Sequence, residues 1–315
     1  MIVASAPGKL MLAGEYAIVG DHGPALAIAL SLRIEVTCLV EGAAWRVSSR
    51  ALALKEAPIS SVPVLAAALK SIGAAAPAGG HLVVESELGA GPQKPGFGSS
   101  AALAVAGLAA LREASGLEGP TLAEAVAVHR SSQGGKGSGY DVAAALYGGV
   151  TVYRGASGVP RAEALAWLDG LCAAVIYTGR GASTPKQLGR LSEAGKDVEP
   201  YLLALGHASS RCVEAWRGGS CEALLEAAKA SEHALNALDE RFQLGIGGGG
   251  IREARTIIES VGAVARTSGA GGGDCLWALA ADNETLASAL RALEASGARP
   301  VALTWPGNGL EMRIC

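Results

Sequence analysis

Pro95-Gly96-Phe97-Gly98-Ser99-Ser100-Ala101-Ala102 joins a strand-like segment to an Ala/Leu-rich run, and its reading decides the fold. The glycines at 96 and 98 let backbone N–H groups converge on one point. A helix opening there adds the partial positive charge of its N-terminus, so the segment can cradle an anion such as a phosphate. Ser99 or Ser100 can cap that helix or offer a hydroxyl to a nucleotide-bound Mg2+. No Lys-Ser/Thr pair follows the glycines, which excludes a Walker A loop. A plain capped turn and a phosphate loop both stay open on these residues alone.

Outward from this loop, the chain carries 44 glycines, many of them clustered. Gly269-Ala270-Gly271-Gly272-Gly273-Asp274 lies between two strand-like runs. Ordering so many glycines is costly, which implies close approach of backbone to a ligand or another segment. A hairpin turn would need only one or two. Gly245-Ile246-Gly247-Gly248-Gly249-Gly250 formally matches G-x-G-x-x-G, but residues 239–243 before it are polar and make no convincing strand. It reads as a flexible lead into a helix at Ile251 and not as a dinucleotide fingerprint. Ala6-Pro7-Gly8-Lys9 places a lysine on a tight turn between strands, ordinarily a solvated position. Gly137-Ser138-Gly139-Tyr140-Asp141 places a carboxylate at the mouth of a short helix, where an N-cap is the ordinary reading.

The 315 residues suffice for one large or two modest domains. Half are hydrophobic and 17% charged, which excludes a disordered chain. Aromatics make up 4%, so small aliphatic side chains must build the core. The net charge of −3 comes without a Lys/Arg block, which counts against nucleic acid and anionic membrane surfaces as partners. Apolar stretches such as 101–111 fall well short of the roughly 18–20 residues of a membrane span. The first residues carry no basic signal-peptide region. Cys38, Cys172, Cys212, Cys221, Cys275 and Cys315 form no C-x-x-C pair and read as reduced, mostly buried thiols. A cytoplasmic location is the expectation.

Periodicity predicts strands over 1–6 and 10–13, a half-exposed strand over 33–40, and strands over 81–86, 150–153 and 173–177. It predicts helices over 62–72, 100–115, 122–132 and 141–147. Residues 200–238 read as helical with a break at Gly218-Gly219. A helix over 251–261, strands near 263–266 and 276–280, a helix over 284–296 and a strand over 300–304 close the chain. This mixture predicts α+β units with helices on mainly antiparallel sheets. The stretch 155–160 reads as a linker, dividing the chain into 1–157 and 158–315.

In this order the motifs resemble those of the GHMP kinase superfamily. Ala6-Pro7-Gly8-Lys9-Leu10 is similar to its first motif, Gly98-Ser99-Ser100-Ala101-Ala102 to its ATP-phosphate motif, and Ser268 through Cys275 to its third. The resemblance runs from residue 6 to about 280, nearly the whole chain. The details look most like the phosphomevalonate kinases. Gly14-Glu15-Tyr16-Ala17 has Tyr where mevalonate kinases usually carry His. Gln133-Gly134, leading to Gly137-Ser138-Gly139-Tyr140-Asp141, and Thr178-Gly179-Arg180-Gly181-Ala182-Ser183-Thr184 resemble that branch's segments. Phe97, where Leu is commoner, and the glycines at 247–250 depart from it.

The resemblance implies a two-domain fold, a ribosomal-protein-S5-like α+β unit followed by a ferredoxin-like α+β unit, with the site in the cleft between them. It implies ATP and Mg2+, and transfer of the γ-phosphoryl to the phosphate of (R)-5-phosphomevalonate, giving mevalonate 5-diphosphate, by a monomer or homodimer. It places the ATP phosphates on Pro95, Gly96, Phe97, Gly98, Ser99, Ser100 and Ala101, with Gly271 opposite and Ser100 toward Mg2+. Lys9 and Asp141 are the implied catalytic pair, and Ser138, Gly139, Ser183, Gly269, Ala270 and Gly271 join them around the acceptor. Mevalonate kinase, mevalonate diphosphate decarboxylase and a non-catalytic ligand sensor on the same fold are the alternatives.

Chemistry qualifies the implied roles. A phosphate monoester has its second pKa near 6, so it is already mostly an anionic nucleophile at neutral pH. Asp141 is then less needed as a base than as an orienting group. The harder task is to bring two polyanions together, which needs preplaced cations. Lys94, Arg130, Lys136, Arg180 and Lys186 lie near the motifs and are candidates beside Lys9.

Overall fold

The computed structural model describes residues 1–89, 96–155, 157–177, 184–193, 195–248, 250–269, 275–296, 298–301 and 303–315. The chain opens on a single strand, β1 (Ile2–Ala13), where two were expected. Pro7-Gly8 does not turn the chain. Its partner β2 (Ala25–Leu39) places Leu30, Ser31 and Leu32 opposite Gly8, so the irregularity is absorbed as a bulge and pairing continues on both sides. The second half of β2 alternates as its sequence predicts, with Ile34, Val36 and Cys38 buried.

Around these two strands lie β3 (Trp45–Ser49), β4 (Leu54–Pro58), β5 (Gly80–Ser86), β6 (Val150–Arg154), β7 (Arg161–Leu165) and β12 (Glu311–Ile314). The main path runs β12-β1-β2-β5-β3-β4, with β6 also on β2 and β7 on β6. Among the described residues, only the β3–β5 pairing in this sheet is parallel. Helices α1 (Pro63–Ile72), α2 (Ser99–Ala114), α3 (Leu122–Ser132) and α4 (Tyr140–Tyr147) complete the unit. The Ala/Leu run makes α2 the central helix, with residues 101–111 all buried. A reciprocal capping box between Thr121 and Glu124 fixes the start of α3.

The stretch 155–160 is not a linker. Arg154 pairs with Arg161, so β6 and β7 form a hairpin within the first sheet, and a boundary between 157 and 158 would fall inside it. The change of sheet falls after Leu165, and β12 later returns to pair with β1.

The second sheet runs β11-β8-β10-β9, built from β8 (Cys172–Tyr177), β9 (Val264–Ser268), β10 (Cys275–Ala280) and β11 (Arg299–Val301), all antiparallel. Its helices are α5 (Thr184–Glu193), α6 (Glu199–Arg217), α7 (Cys221–Phe242), α8 (Ile251–Ser260) and α9 (Asn283–Ala295). The period of two sorts β10 between two cores. Leu276 and Ala278 pack with α8 and α9, while Cys275, Trp277 and Leu279 join the large core that includes the first sheet. Trp277 is fully buried at this joint and donates from Nε1 to the carbonyl of Met11 at 2.9 Å. Trp167, Trp216 and Trp305 meet in edge-to-face and tilted contacts around the same region.

The glycines before α8 act as the lead expected of them. Asp239 Oδ1 accepts from the amides of Gly245 and Ile246 at 2.8 and 3.1 Å, and Gly250 is the N-cap of α8. Among the described residues, no helix is long and apolar enough to cross a membrane.

Candidate active site

The bulge in β1 sets Lys9 against the glycine loop. Its backbone amide donates to the Phe97 carbonyl at 2.8 Å, and its Nζ donates to the Gly96 carbonyl at 3.1 Å. The residue is buried, contrary to the ordinary reading of a lone lysine, so its charge is held near one point instead of ranging through solvent. Nζ also lies 5.3 Å from the centroid of the Tyr140 ring, a cation–π distance. Burial raises the pKa of the Tyr140 phenol and the neighbouring lysine opposes that shift, so the ring faces the charge as a neutral phenol.

Gly98 is the N-cap of α2 and adopts φ +79°, a left-handed conformation that favours glycine. A Cβ there would stand 2.9 Å from Lys9 Cε and 3.0 Å from Cγ, so the lysine stem fills the space a side chain would need. With Gly98 as cap, neither serine caps the helix through its side chain. The Ser100 hydroxyl instead lies 3.1 Å from Nε2 of His129. Phe97 anchors the loop in the core, and Ala101 begins the buried face of α2.

In the loop before Asp141, Arg130 at the end of α3 donates from Nε to the Gly137 carbonyl and from Nη2 to the Ser138 carbonyl, at 2.8 and 2.9 Å. Tyr153 Oη donates to the same Ser138 carbonyl at 2.7 Å. Burial pushes that phenol up to about 12, which keeps it a donor. Gly139, at φ +96°, is the N-cap of α4, and a Cβ on it would come within 2.7 Å of Tyr153 Oη. The N-cap reading of Asp141 is thus corrected: glycine holds that position, and Asp141 sits in the first turn, where the helix end favours its charge. Its Oδ1 accepts from the Val142 amide at 3.0 Å and lies 3.9 Å from His129 Nδ1.

Lys9, Gly96, Gly98, Ser100 and Asp141 are therefore linked through direct contacts or through Tyr140 and His129, and Ser138 and Gly139 frame Asp141. Gly269 lies just beyond β9 of the other sheet, where Ser268 pairs with Cys275. Pro95, Ser183, Ala270 and Gly271 lie outside the described residues, as do Lys94, Arg180 and the side chain of Lys186. Arg130, a candidate for the acceptor phosphate, directs two of its donors to loop carbonyls, and Lys136 is exposed.

Sequence reasoning missed Tyr140 and His129. His129 and Gln133 are four residues apart, hence on one helix face. That spacing, just ahead of the glycines at 134–139, was the available signal.

A glycine loop opening a buried helix, a buried lysine bound to that loop and an aspartate at the next helix start suit a phosphoryl-transfer site. The family models for the GHMP kinases N terminal domain and the GHMP kinases C terminal match residues 62–149 and 218–299. The chain belongs to the GHMP kinase family. It is 28% identical to the phosphomevalonate kinase of Streptomyces sp. strain CL190, covering 96% of both chains. It is 27% identical to the mevalonate kinase of Thermococcus gammatolerans, covering 99% of this chain and 98% of the other. The solved structure of Streptococcus pneumoniae phosphomevalonate kinase in complex with phosphomevalonate and AMPPNP superimposes with a TM-score of 0.83 at 19% identity, covering 96% and 99% of the two chains. The two-domain α+β GHMP kinase fold expected from the motifs is thereby shown.

Proposed function

We propose that this protein transfers the γ-phosphoryl group of ATP to the phosphate of 5-phosphomevalonate, forming mevalonate 5-diphosphate. The observation that carries the reading is Lys9: buried, bonded to the Gly96 carbonyl of the loop and set over Tyr140, next to Asp141. Such a fixed cation lowers the repulsion between donor and acceptor phosphates without rearranging during the reaction. The match to a phosphomevalonate kinase over 96% of both chains supports the acceptor.

The nucleotide phosphates would lie at the start of α2, toward the amides of Ser99, Ser100 and Ala101, with Gly271 as a further nucleotide contact implied by the motif. Mg2+ enters with ATP as part of the substrate. No three His, Cys, Asp or Glu side chains gather into a metal site among the described residues. The ion would take most of its oxygen ligands from phosphates and water, and the Ser100 hydroxyl fits a remaining place. The acceptor would lie by Ser138, Gly139 and Asp141, with Ser183, Gly269 and Ala270 as further contacts implied by the motifs. Its phosphate arrives already ionised, so Asp141 need not remove a proton and would orient the acceptor by accepting from its hydroxyl.

A second reading, mevalonate kinase, is supported by the Thermococcus gammatolerans relative at nearly equal identity. A coupled assay of ADP release with 5-phosphomevalonate and with mevalonate decides between them. Higher kcat/KM on the phosphate is the expected result, and higher kcat/KM on mevalonate overturns the acceptor assignment.

A further inference from the structure

His129 lies between the two halves of the site. It is 2% exposed, whereas Ser100, whose hydroxyl meets it, is exposed on its other side. Nε2 of His129 has two polar neighbours, the Ser100 hydroxyl at 3.1 Å and the Gln133 side-chain nitrogen at 3.0 Å. An amide nitrogen only donates, so Nε2 is the acceptor and the ring proton belongs on Nδ1. That places N–H on the side of the Asp141 carboxylate, with Nδ1 3.9 Å from Oδ1. Nε2 has a single lone pair, which the Gln133 amide and the Ser100 hydroxyl share as donors. A Ser100 oxygen turned the other way would set lone pair against lone pair at 3.1 Å, so its proton points to Nε2.

A hydroxyl has one proton and two lone pairs. With its proton directed inward to His129, Ser100 can only accept on its solvent side. It can then ligate a cation there but cannot donate to a phosphate oxygen. We propose that His129 is a positioning residue that fixes the polarity of the Ser100 hydroxyl, making it a lone-pair donor to the cation carried by the nucleotide. The inference rests on the nucleotide reading of the loop but not on the identity of the acceptor.

The test measures AMPPNP binding by calorimetry, with Mg2+ and with the metal removed by EDTA, and so needs no turnover. His129→Gln keeps an acceptor that reaches Ser100, whereas the shorter His129→Asn does not. Loss of one such polar contact predicts Mg2+·AMPPNP binding weakened by about fivefold or more in His129→Asn and largely retained in His129→Gln. Without metal, both variants should bind within about twofold of the parent. In a Ser100→Ala background, His129→Asn should add less than about twofold, since the contact it removes is already gone. Equal Mg2+-dependent binding in the Gln and Asn variants overturns the proposal. So does an equal loss with and without metal, or a full loss in the Ser100→Ala background. Failure of every form, parent included, to bind AMPPNP would instead sink the nucleotide reading of the loop.

Discussion

Arg266 of β9 is ion-paired with Glu15, 251 residues away just beyond β1, and both are buried. The same guanidinium donates to Glu232 of α7 at 2.7 Å, and Arg255 of α8 pairs with Glu232 as well. Burial alone would raise the Glu232 carboxyl, but Arg266, Arg255 and the amide and hydroxyl of Thr267 outweigh it and hold it below the usual range. Glu15 has fewer donors, and burial pushes it up despite Arg266. The two sheets are thus joined by a buried network near the end of β9.

Removing the shared cation should be costly. Arg266→Met would leave Glu15 and Glu232 buried around an apolar side chain, and breaking such a pair costs about 3–5 kcal/mol. A clear fall in Tm by calorimetry is expected. An unchanged Tm would show that the network contributes nothing to joining the sheets.

Gly98 should tolerate no side chain. The φ of +79° and the 2.9 Å approach of Lys9 Cε mean that Gly98→Val must strain the backbone and displace the lysine stem. Turnover should fall by at least about tenfold, or roughly 1.4 kcal/mol of barrier. The fold should survive, as read by circular dichroism. Normal kcat at saturating Mg2+·ATP would mean that the lysine position is not needed.

Arg130→Lys tests the acceptor-side loop. The guanidinium holds the carbonyls of Gly137 and Ser138 with two differently directed donors, which an ammonium on a flexible stem cannot reproduce. KM for the acceptor should rise several-fold, while KM for ATP stays within about twofold, because the loop precedes Asp141 and not α2. A rise confined to ATP would contradict this placement.

Much of this was legible in the sequence, and the failures have physical causes. The α2 and α3 helices were readable because Ala/Leu content and a Thr121–Glu124 box are local signals. β1 was split in two because Pro7-Gly8 is a strong local turn signal, overruled by pairing with β2. β3, β4, β7 and β12 were missed: each is only four or five residues long and stabilised mainly by its sheet partners. The stretch 155–160 has linker composition, and nothing local distinguishes a linker from a hairpin turn. Lys9, Ser100 and Asp141 were readable through motif resemblance, whereas His129 acquires meaning only when α2, α3 and α4 converge on it.

The thiols were expected to be mostly buried, but only Cys38, Cys212 and Cys275 are; Cys172 and Cys221 are half-buried and Cys315 is exposed. Burial pushes Cys38 up to about 11 and Cys212 up to about 12, so both stay protonated at pH 8. Iodoacetamide on the native protein should modify Cys315 first and leave Cys38 and Cys212 unmodified, as read by peptide mass mapping. Early modification of Cys212 would mean that the core around α6 opens.

Asp141 separates the two acceptor readings. Its Oδ1 accepts from the Val142 amide and faces His129, and Asn can keep an oxygen in that place while losing the charge. If the acceptor is a phosphate, its nucleophilic oxygen needs no deprotonation above about pH 6–7. Asp141→Asn should then keep measurable turnover of 5-phosphomevalonate, and its loss relative to the parent should not grow between pH 8 and pH 7. If the acceptor is the hydroxyl of mevalonate, the same substitution removes a general base, which commonly costs about 10²–10⁴-fold. A loss on 5-phosphomevalonate beyond about 10⁴-fold would make Asp141 an obligatory proton acceptor, contrary to the orienting role argued here. The Asn variant should therefore retain activity on the phosphate, because ionisation of the acceptor has already done the work a base would do.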